Sequence, residues 1–421
     1  MTTLRQLGLI SATALVMANM IGTGVFTTSG FLMADLESPK WVIVAWLVGG
    51  LIALLGALSY GSLARAIPES GGEYLFLSRT LHPAAGYVAG WISLLAGFSA
   101  PIAMAAFGFG EYVSGWLPQI PVKVTGSALL LLFAVVHALH VRRGAWFQNL
   151  AVAMKLVLLG AFAVMAARHL PQTANEGQVP LRAGAFAVSL VWISFSYSGW
   201  NAAVYVASEV ISPERNLVRA LALGTGVVTA VYVVTNALFV LGVPPEAIAG
   251  KVAVAQIAAE ALGGAGLSRL VTVIVLFALA TSVSAMMMAG PRVYARMSAD
   301  GFLPAWLRHG AGPPRAGMAL QLVLALVFLW TNTFEALLSY IGFTLSASTA
   351  LTVCGLIRLK RRSPDLAVIG WPIVPSLFLV FVSWSLIFSF GRLGWAGLWG
   401  IGTMAIGWLI WRIQTARFPR L

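Results

Sequence analysis

Two runs of small and polar residues interrupt stretches otherwise built of Leu, Val, Ile, Ala and Met: Gly22-Thr23-Gly24, and Phe195-Ser196-Tyr197-Ser198-Gly199-Trp200-Asn201. If each run breaks a helix, the backbone there offers free poles. The N–H groups opening the second half of the first helix would attract an anion, and a carboxylate fits at Thr23 and Gly24. Carbonyls ending its first half near Ile21, and those near Phe195, Tyr197 and Ser198, would accept hydrogen bonds from an ammonium group. A small zwitterion uses both poles, so an α-amino acid is the implied ligand, and no charged side chain is needed to hold it. The same glycines would also serve simple close packing, as small residues do between helices in membranes.

Lys155 is the only lysine or arginine well inside an apolar stretch, and an ionisable group at that depth is costly enough to imply a function or a specific partner. Glu111 and Glu209 sit toward the ends of their runs, which leaves no carboxylate read at its depth. Lys155 would therefore donate to carbonyls of a broken helix, taking the place a sodium ion could fill, or stand there neutral. Either state argues against simple sodium coupling; a stem stretched outward to the interface is the bland alternative. Tyr232 and Asn236, four residues apart, share a helix face and would meet a substrate carboxylate or a gate, or serve as ordinary buried residues. Ser282 and Ser284 could line a solute path or act as packing glue. Phe195 and Trp200 are candidate lids over an apolar pocket, unless they face lipid. The five histidines show no ligand spacing, and no GxSxG, HExxH or Walker pattern stands in a plausible context, so neither a metal, a cofactor nor an enzyme is expected.

The elements that must position these residues are membrane spans. With 59% apolar and 9% charged residues among 421, and a mean hydropathy of +0.89, the chain is not a soluble globule. Apolar runs long enough for a core of about 30 Å are read near 8–31, 41–63, 84–116, 122–141, 147–167, 184–207, 218–242, 269–293, 317–332, 336–357, 371–390 and 394–412. That predicts an all-α polytopic membrane protein of twelve spans. Segments of alternating polarity, which a β-barrel requires, are missing. The first run passes for a secretory leader only until its length, and the eleven runs after it, are considered.

The net charge of +13 does not point to nucleic acid once the basic residues are placed. With both termini in the cytoplasm, eighteen of the 26 lysines and arginines fall on inner segments, among them Arg5, Arg142, Arg143, Arg292, Arg296, Arg361 and Arg420. Seven fall outside, and the last is Lys155. Cys354, the single cysteine, excludes an intrachain disulfide and a thiol metal site. The loops are short, so 1–421 is read as one transmembrane domain, the longest loop being near 243–268. Pro68 to Tyr74 marks a turn followed by a short amphipathic helix at the inner interface, and a second interfacial helix is expected after Pro291, across Val293 to Met297. Interruptions in spans one and six, five apart in order, suggest two inverted five-helix repeats, 8–167 and 184–357, with two added helices at 371–412.

At these residues the chain resembles the amino acid–polyamine–organocation superfamily, and most nearly its L-type amino acid transporter family in a prokaryotic form. The likeness covers nearly the whole chain. It lies in Met20-Ile21-Gly22-Thr23-Gly24-Val25-Phe26, in Pro68 to Tyr74, in Phe195 to Asn201 with Ser208 to Leu217, in Val231 to Asn236, and in Arg292-Val293-Tyr294 with Asp300 to Pro304. The resemblance implies a LeuT-like fold, alternating access, and sodium-independent movement of amino acids, often by exchange, across a plasma (inner) membrane. It places the carboxylate on Gly22 to Gly24, the ammonium on the carbonyls of the sixth run, which spans Phe195, Ser196, Tyr197, Ser198 and Gly199, the gate at Phe195, a contact at Tyr232, and Lys155 at the sodium-site replacement. The segment Leu117 to Val122 lacks a cysteine, so no disulfide-linked heavy chain is expected and a monomer is the simplest assembly. Proton symport, efflux of amino acids or amines, and a non-transporting receptor are the rival readings.

Overall fold

The computed structural model describes residues 7–139, 144–170, 179–308, 314–392 and 394–417; Arg5, Arg142, Arg143 and Arg420 of the charge argument lie outside them. Helices account for the architecture. Among the described residues the one β-type contact is a parallel bridge between Leu7 and Val210. Eight helices are long and apolar enough to cross a bilayer. They are α3 (Pro39–Ala66), α5 (Pro83–Ser114), α6 (Val122–Leu139), α7 (Gly144–Ala167), α9 (Pro213–Leu241), α10 (Val254–Ala299), α12 (Phe334–Arg362) and α13 (Ile373–Phe390). The pair α1 (Leu9–Met20) and α2 (Gly24–Leu36) makes a ninth crossing if taken as one span bent by 43°. Shorter α8 (Ala183–Tyr197) and α11 (Arg315–Thr331), with α14 (Trp395–Arg417), lie on the remaining apolar runs, and the short helix α4 (Glu73–Thr80) follows α3.

Prolines at the first turns of α3, α5 and α9 start these helices where a missing N–H costs nothing. In the central helices small and aromatic residues such as Ala45, Trp46, Ala57, Tyr60 and Tyr232 are buried, while Leu47, Leu51, Val157 and Val234 are exposed, as are Trp330, Phe388, Trp395 and Trp399 on outer helices, the distribution expected where the outer solvent is lipid. At the centre α9 lies along α3 and α1, and α2 lies against α8. This arrangement brings the two interrupted regions together. Near residues 93–99 α5 widens to a π-helix; Pro101 withholds its N–H there and Ser99 Oγ donates to the Leu94 carbonyl at 2.7 Å.

Three expectations change. Most of the region read as a long loop is helical, because the alanine-rich segment from Val254 winds up to a sharp turn at Gly263 and Gly264, the latter at φ +66°. No separate interfacial helix begins after Pro291; α10 runs through it to Ala299. Pro291 withholds the N–H that would reach the Met287 carbonyl; on either side of that carbonyl, Met286 accepts from Gln321 Nε2 and Met288 from the Arg292 guanidinium. The helix after the Pro68 turn is present, but Glu73, Tyr74, Leu75, Phe76, Leu77 and Thr80 are buried in protein, so it is not an interfacial surface helix.

Candidate functional site

The first interruption spans Ile21 to Thr23. Ile21 leaves the helical region with ψ 87°, and the chain re-enters helix at Gly24. Its freed carbonyls find partners from three other helices. Lys155 Nζ on α7 donates to the Ile21 carbonyl at 3.1 Å, and Ser282 Oγ on α10 approaches the same oxygen at 3.5 Å. The Tyr232 hydroxyl on α9 donates to the Met20 carbonyl. Lys155 is 3% exposed, so its amine is spent on the break and does not stretch to an interface. At the start of α2 the Phe26 N–H turns back to the Thr23 carbonyl at 3.1 Å, and the remaining first-turn N–H groups form the positive pole of the helix.

The second interruption follows Tyr197. Ser198 is extended at ψ 143°, Gly199 takes φ +101°, and a 3₁₀ segment, Ala202–Glu209, continues the chain. Gly199 is required twice over: its φ disfavours a side chain, and a Cβ there would lie 2.7 Å from the Asn19 carbonyl group. A Cβ on Gly24 would in turn lie 2.5 Å from Ser196 Cα. The two breaks thus touch at two glycines, and Thr28 and Ser196 share a hydrogen bond of 2.8 Å beside the contact. The Phe195 carbonyl, counted as a free acceptor from the sequence, takes the Ser198 N–H at 2.9 Å, because the unwinding chain closes a turn there.

Around these contacts stands an aromatic and polar wall. Trp46, Tyr197 and Tyr232 pack with ring centroids 5.1 to 5.9 Å apart. Tyr197 donates to the Trp46 carbonyl at 3.0 Å. Asn236 accepts from Ser29 at 2.6 Å, and Ser29 accepts from the Trp46 indole at 2.9 Å. Asn236 therefore braces α2 against α9. Tyr232→Phe should keep the ring contacts and leave the Met20 carbonyl without its donor. Thermal unfolding of the detergent-solubilised variant should show a loss of about 1 kcal/mol, and an unchanged transition would remove this brace.

A cavity of about 710 Å³ opens from the second interruption toward the end of the bundle that carries Arg292, Arg296 and Glu209. Its wall includes Asn19, Tyr197, Ser198, Gly199, Trp200 and Asn201. Gly22, Thr23 and Gly24 are not on that wall; they lie behind the contact of the two breaks, with Thr23 and Gly24 buried. Phe195 is buried at 7% exposure and also absent from the wall, although Leu190, Ser194 and Tyr197 of the same half-helix line it, so its side chain lies on another face of α8. Trp200 does line the cavity, packed edge-on to Tyr60 at 4.7 Å. Ser284 takes a different place from Ser282: two residues on, it turns to the other side of α10 and meets His137 Nε2 at 2.9 Å.

One residue of the cavity wall escaped the sequence reading. Glu73, 4% exposed, accepts hydrogen bonds from Tyr60, Asn201 and Ser348. An acidic residue just after paired glycines reads as a first-turn charge favoured by the helix dipole, and that ordinary role concealed its burial. The motif Pro68 to Tyr74 marked the segment without marking the side chain.

Comparison with known proteins agrees with this geometry. The family profile described as amino acid permease matches residues 7–408. The human large neutral amino acids transporter small subunit 2 is 28% identical over 408 residues, covering 91% of this chain and 76% of that protein. The mouse Asc-type amino acid transporter 1 is 27% identical over 407 residues, 92% of this chain and 76% of its own length. The human b(0,+)-type amino acid transporter 1 is 26% identical over 403 residues, with 91% and 82% covered. A match that runs through both interruptions, α7 and the long helices leaves one assignment: this chain belongs to the amino acid permease family of the amino acid–polyamine–organocation superfamily, and is a membrane transporter, not an enzyme.

Proposed function

We propose that this chain is a sodium-independent secondary transporter of neutral L-amino acids that works by alternating access as an exchanger or facilitator. The observation that carries the reading is the meeting of two interrupted helices at the end of a cavity open to one side of the bundle. The substrate carboxylate sits at the amides of Gly22 to Gly24, its ammonium at carbonyls of Tyr197 and Ser198, and its side chain toward Phe195 and Trp200. Because Gly22 to Gly24 lie beyond the cavity, the ligand reaches them when the contact at Gly24 and Ser196 parts. Sodium independence is supported by Lys155 Nζ, which places a cation's donor against the Ile21 carbonyl and beside Ser282, the position a metal ion would need.

The same reading treats the chain as twelve spans in a LeuT-like arrangement, residues 8–167 and 184–357 forming inverted repeats and 371–412 two peripheral helices. Both termini then face the cytoplasm of a plasma (inner) membrane, and the cavity, with Arg292 and Arg296 at its mouth, faces inward. The unit is a monomer without a disulfide-linked heavy chain; Cys354, the only cysteine, lies on the exposed side of α12.

Counterflow in proteoliposomes loaded with one amino acid and challenged with a labelled panel tests this. Accelerated entry of neutral amino acids, in the absence of sodium, is the expected result. Entry into empty liposomes driven by a pH gradient would replace exchange by proton symport, and binding without flux would replace transport by reception.

A further inference from the structure

Glu73 has no part in holding the two breaks together, yet it is a buried carboxylate on the cavity wall with an unusual set of partners. Tyr60 on α3 donates to Oε1 at 2.8 Å, and Asn201 Nδ2, in the second interruption, donates to the same oxygen at 3.0 Å. Ser348 on α12 donates to Oε2 at 2.7 Å. Among the described residues Glu73 forms no ion pair: Arg79 of its own helix pairs with Glu69, and Arg296 across the cavity pairs with Asp300. A carboxylate buried without a cation is retained only when its hydrogen bonds answer the lost hydration.

Other contacts show what Glu73 joins. Ser70 and Ser208 share a hydrogen bond of 2.7 Å, and a Cβ on Gly72 would lie 2.3 Å from the Tyr205 ring. The turn before α4 and the 3₁₀ segment after the second interruption therefore pack as one piece. Leu7 pairs with the backbone of Glu209 and Ile211, at 3.0 and 2.9 Å, which adds the start of α1 to that piece. Through Ser348, Glu73 is the polar tie from this piece to α12. While ionised, its oxygens accept three charge-assisted hydrogen bonds; protonated on Oε2, the carboxyl keeps Tyr60 and Asn201 on Oε1 but must reverse the Ser348 bond, and all three contacts lose the charge that makes such bonds about twice as strong as neutral ones.

We propose that ionised Glu73 is a positioning residue that latches the inner part of the interrupted helix to α3 and α12 while the cavity is open, and that proton uptake from the cavity weakens the latch. The proposal rests on the transporter reading above. Burial raises the Glu73 carboxyl above its ordinary range, with the three donors opposing the rise, so protonation sets in at milder acidity than for an exposed glutamate. The groups facing it do not obscure that step. Tyr60 of α3 and Tyr205 of the 3₁₀ segment are phenols, α12 presents Ser348 and Thr352, and α5 brings Ser93, beside Tyr205. Tyr74 turns away to Asp300. Arg292 and Glu209 lie on the same cavity wall.

The test is counterflow of a neutral amino acid with the pH on the cavity side varied from about 7.5 to about 5.5, a range above the usual carboxylate values. Wild-type exchange should quicken roughly threefold or more on acidification, as the latch on the cavity-open state weakens. Glu73→Gln, which has the shape of the protonated acid, should give a flat profile, and Glu73→Asp should restore a pH dependence. Ser348→Ala removes one donor to the ionised form and should move the midpoint of the wild-type profile to higher pH, which keeps the test decisive if the glutamine variant does not fold. A wild-type profile that is flat, a glutamine variant that follows it, or an unmoved midpoint in Ser348→Ala overturns the latch. Absence of wild-type counterflow at every pH overturns instead the transporter reading on which it rests.

Discussion

Gly24→Val should reduce counterflow to the background of empty liposomes, a loss of at least about 100-fold, since binding and the occluded geometry fail together. The reason is contact with backbone. A Cβ at position 24 would stand 2.5 Å from Ser196 Cα, and no rotation of the serine can move that atom away. The two interrupted helices must separate, which breaks the 2.8 Å hydrogen bond between Thr28 and Ser196 and shifts the α2 amides proposed to meet the substrate carboxylate. Overpacking of this kind costs about 1–3 kcal/mol, a strain that one contact within a large helical bundle can bear without unfolding it. Gly226→Val is the matched control: on α9, a Cβ at Gly226 meets nothing within 4 Å, so that variant should be made, fold and transport normally. Membrane-inserted, monodisperse Gly24→Val with wild-type counterflow would dismiss the junction of the breaks as the site.

Much of this junction was legible before any coordinates, for a physical reason. In a membrane the backbone's needs are severe, so Gly22-Thr23-Gly24 and the polar run to Asn201 are conspicuous within apolar stretches, and a lone Lys155 stands out as a group that must find carbonyl partners. The eight long apolar helices followed from hydropathy by the same token. The course of the chain at Pro291, the burial of Glu73 and the directions taken by Phe195 and Ser284 were not legible, because they depend on helix face and on neighbours distant in sequence. Ser282 and Ser284 are two residues apart and diverge around α10, one to Ile21 and the other to His137. Pro291 reads as a helix boundary, yet α10 continues through it, packed where Gln321 of α11 reaches the Met286 carbonyl. Phe195 misses the cavity while Leu190 and Ser194 of the same half-helix reach it, so the outcome depends on which face of α8 the opening meets. For Glu73, charge predicts exposure, and only the arrival of Asn201 and Ser348 from residues 128 and 275 positions away makes burial tolerable.

Lys155→Ala should lower counterflow by about 10- to 100-fold while leaving the amount of folded protein close to wild type, because the amine acts on the break and not on the general core. In the structure Nζ is 3.1 Å from the Ile21 carbonyl, at the very end of α1, while its stem crosses from α7. Alanine withdraws a donor from a carbonyl whose only other side-chain neighbour is Ser282 at 3.5 Å among the described residues. A carbonyl left so poorly paired costs about 1–3 kcal/mol, and the cost falls on whichever conformation holds Ile21 against α7. If transport requires α1 to leave and regain that place, the loss appears in the return step and so in the exchange rate, with little change in the apparent affinity for substrate. Glutamine and arginine at 155 separate charge from reach: Lys155→Gln offers a shorter neutral donor and should recover part of the rate, whereas Lys155→Arg puts a bulkier planar cation into a site that leaves 3% of the side chain exposed and should not. The measurements are initial counterflow rates against substrate concentration for the three variants. An alanine variant with a normal rate would mean that the contact with Ile21 is incidental. A selective rise in the half-saturating concentration would assign the amine to the ligand and not to the movement of α1.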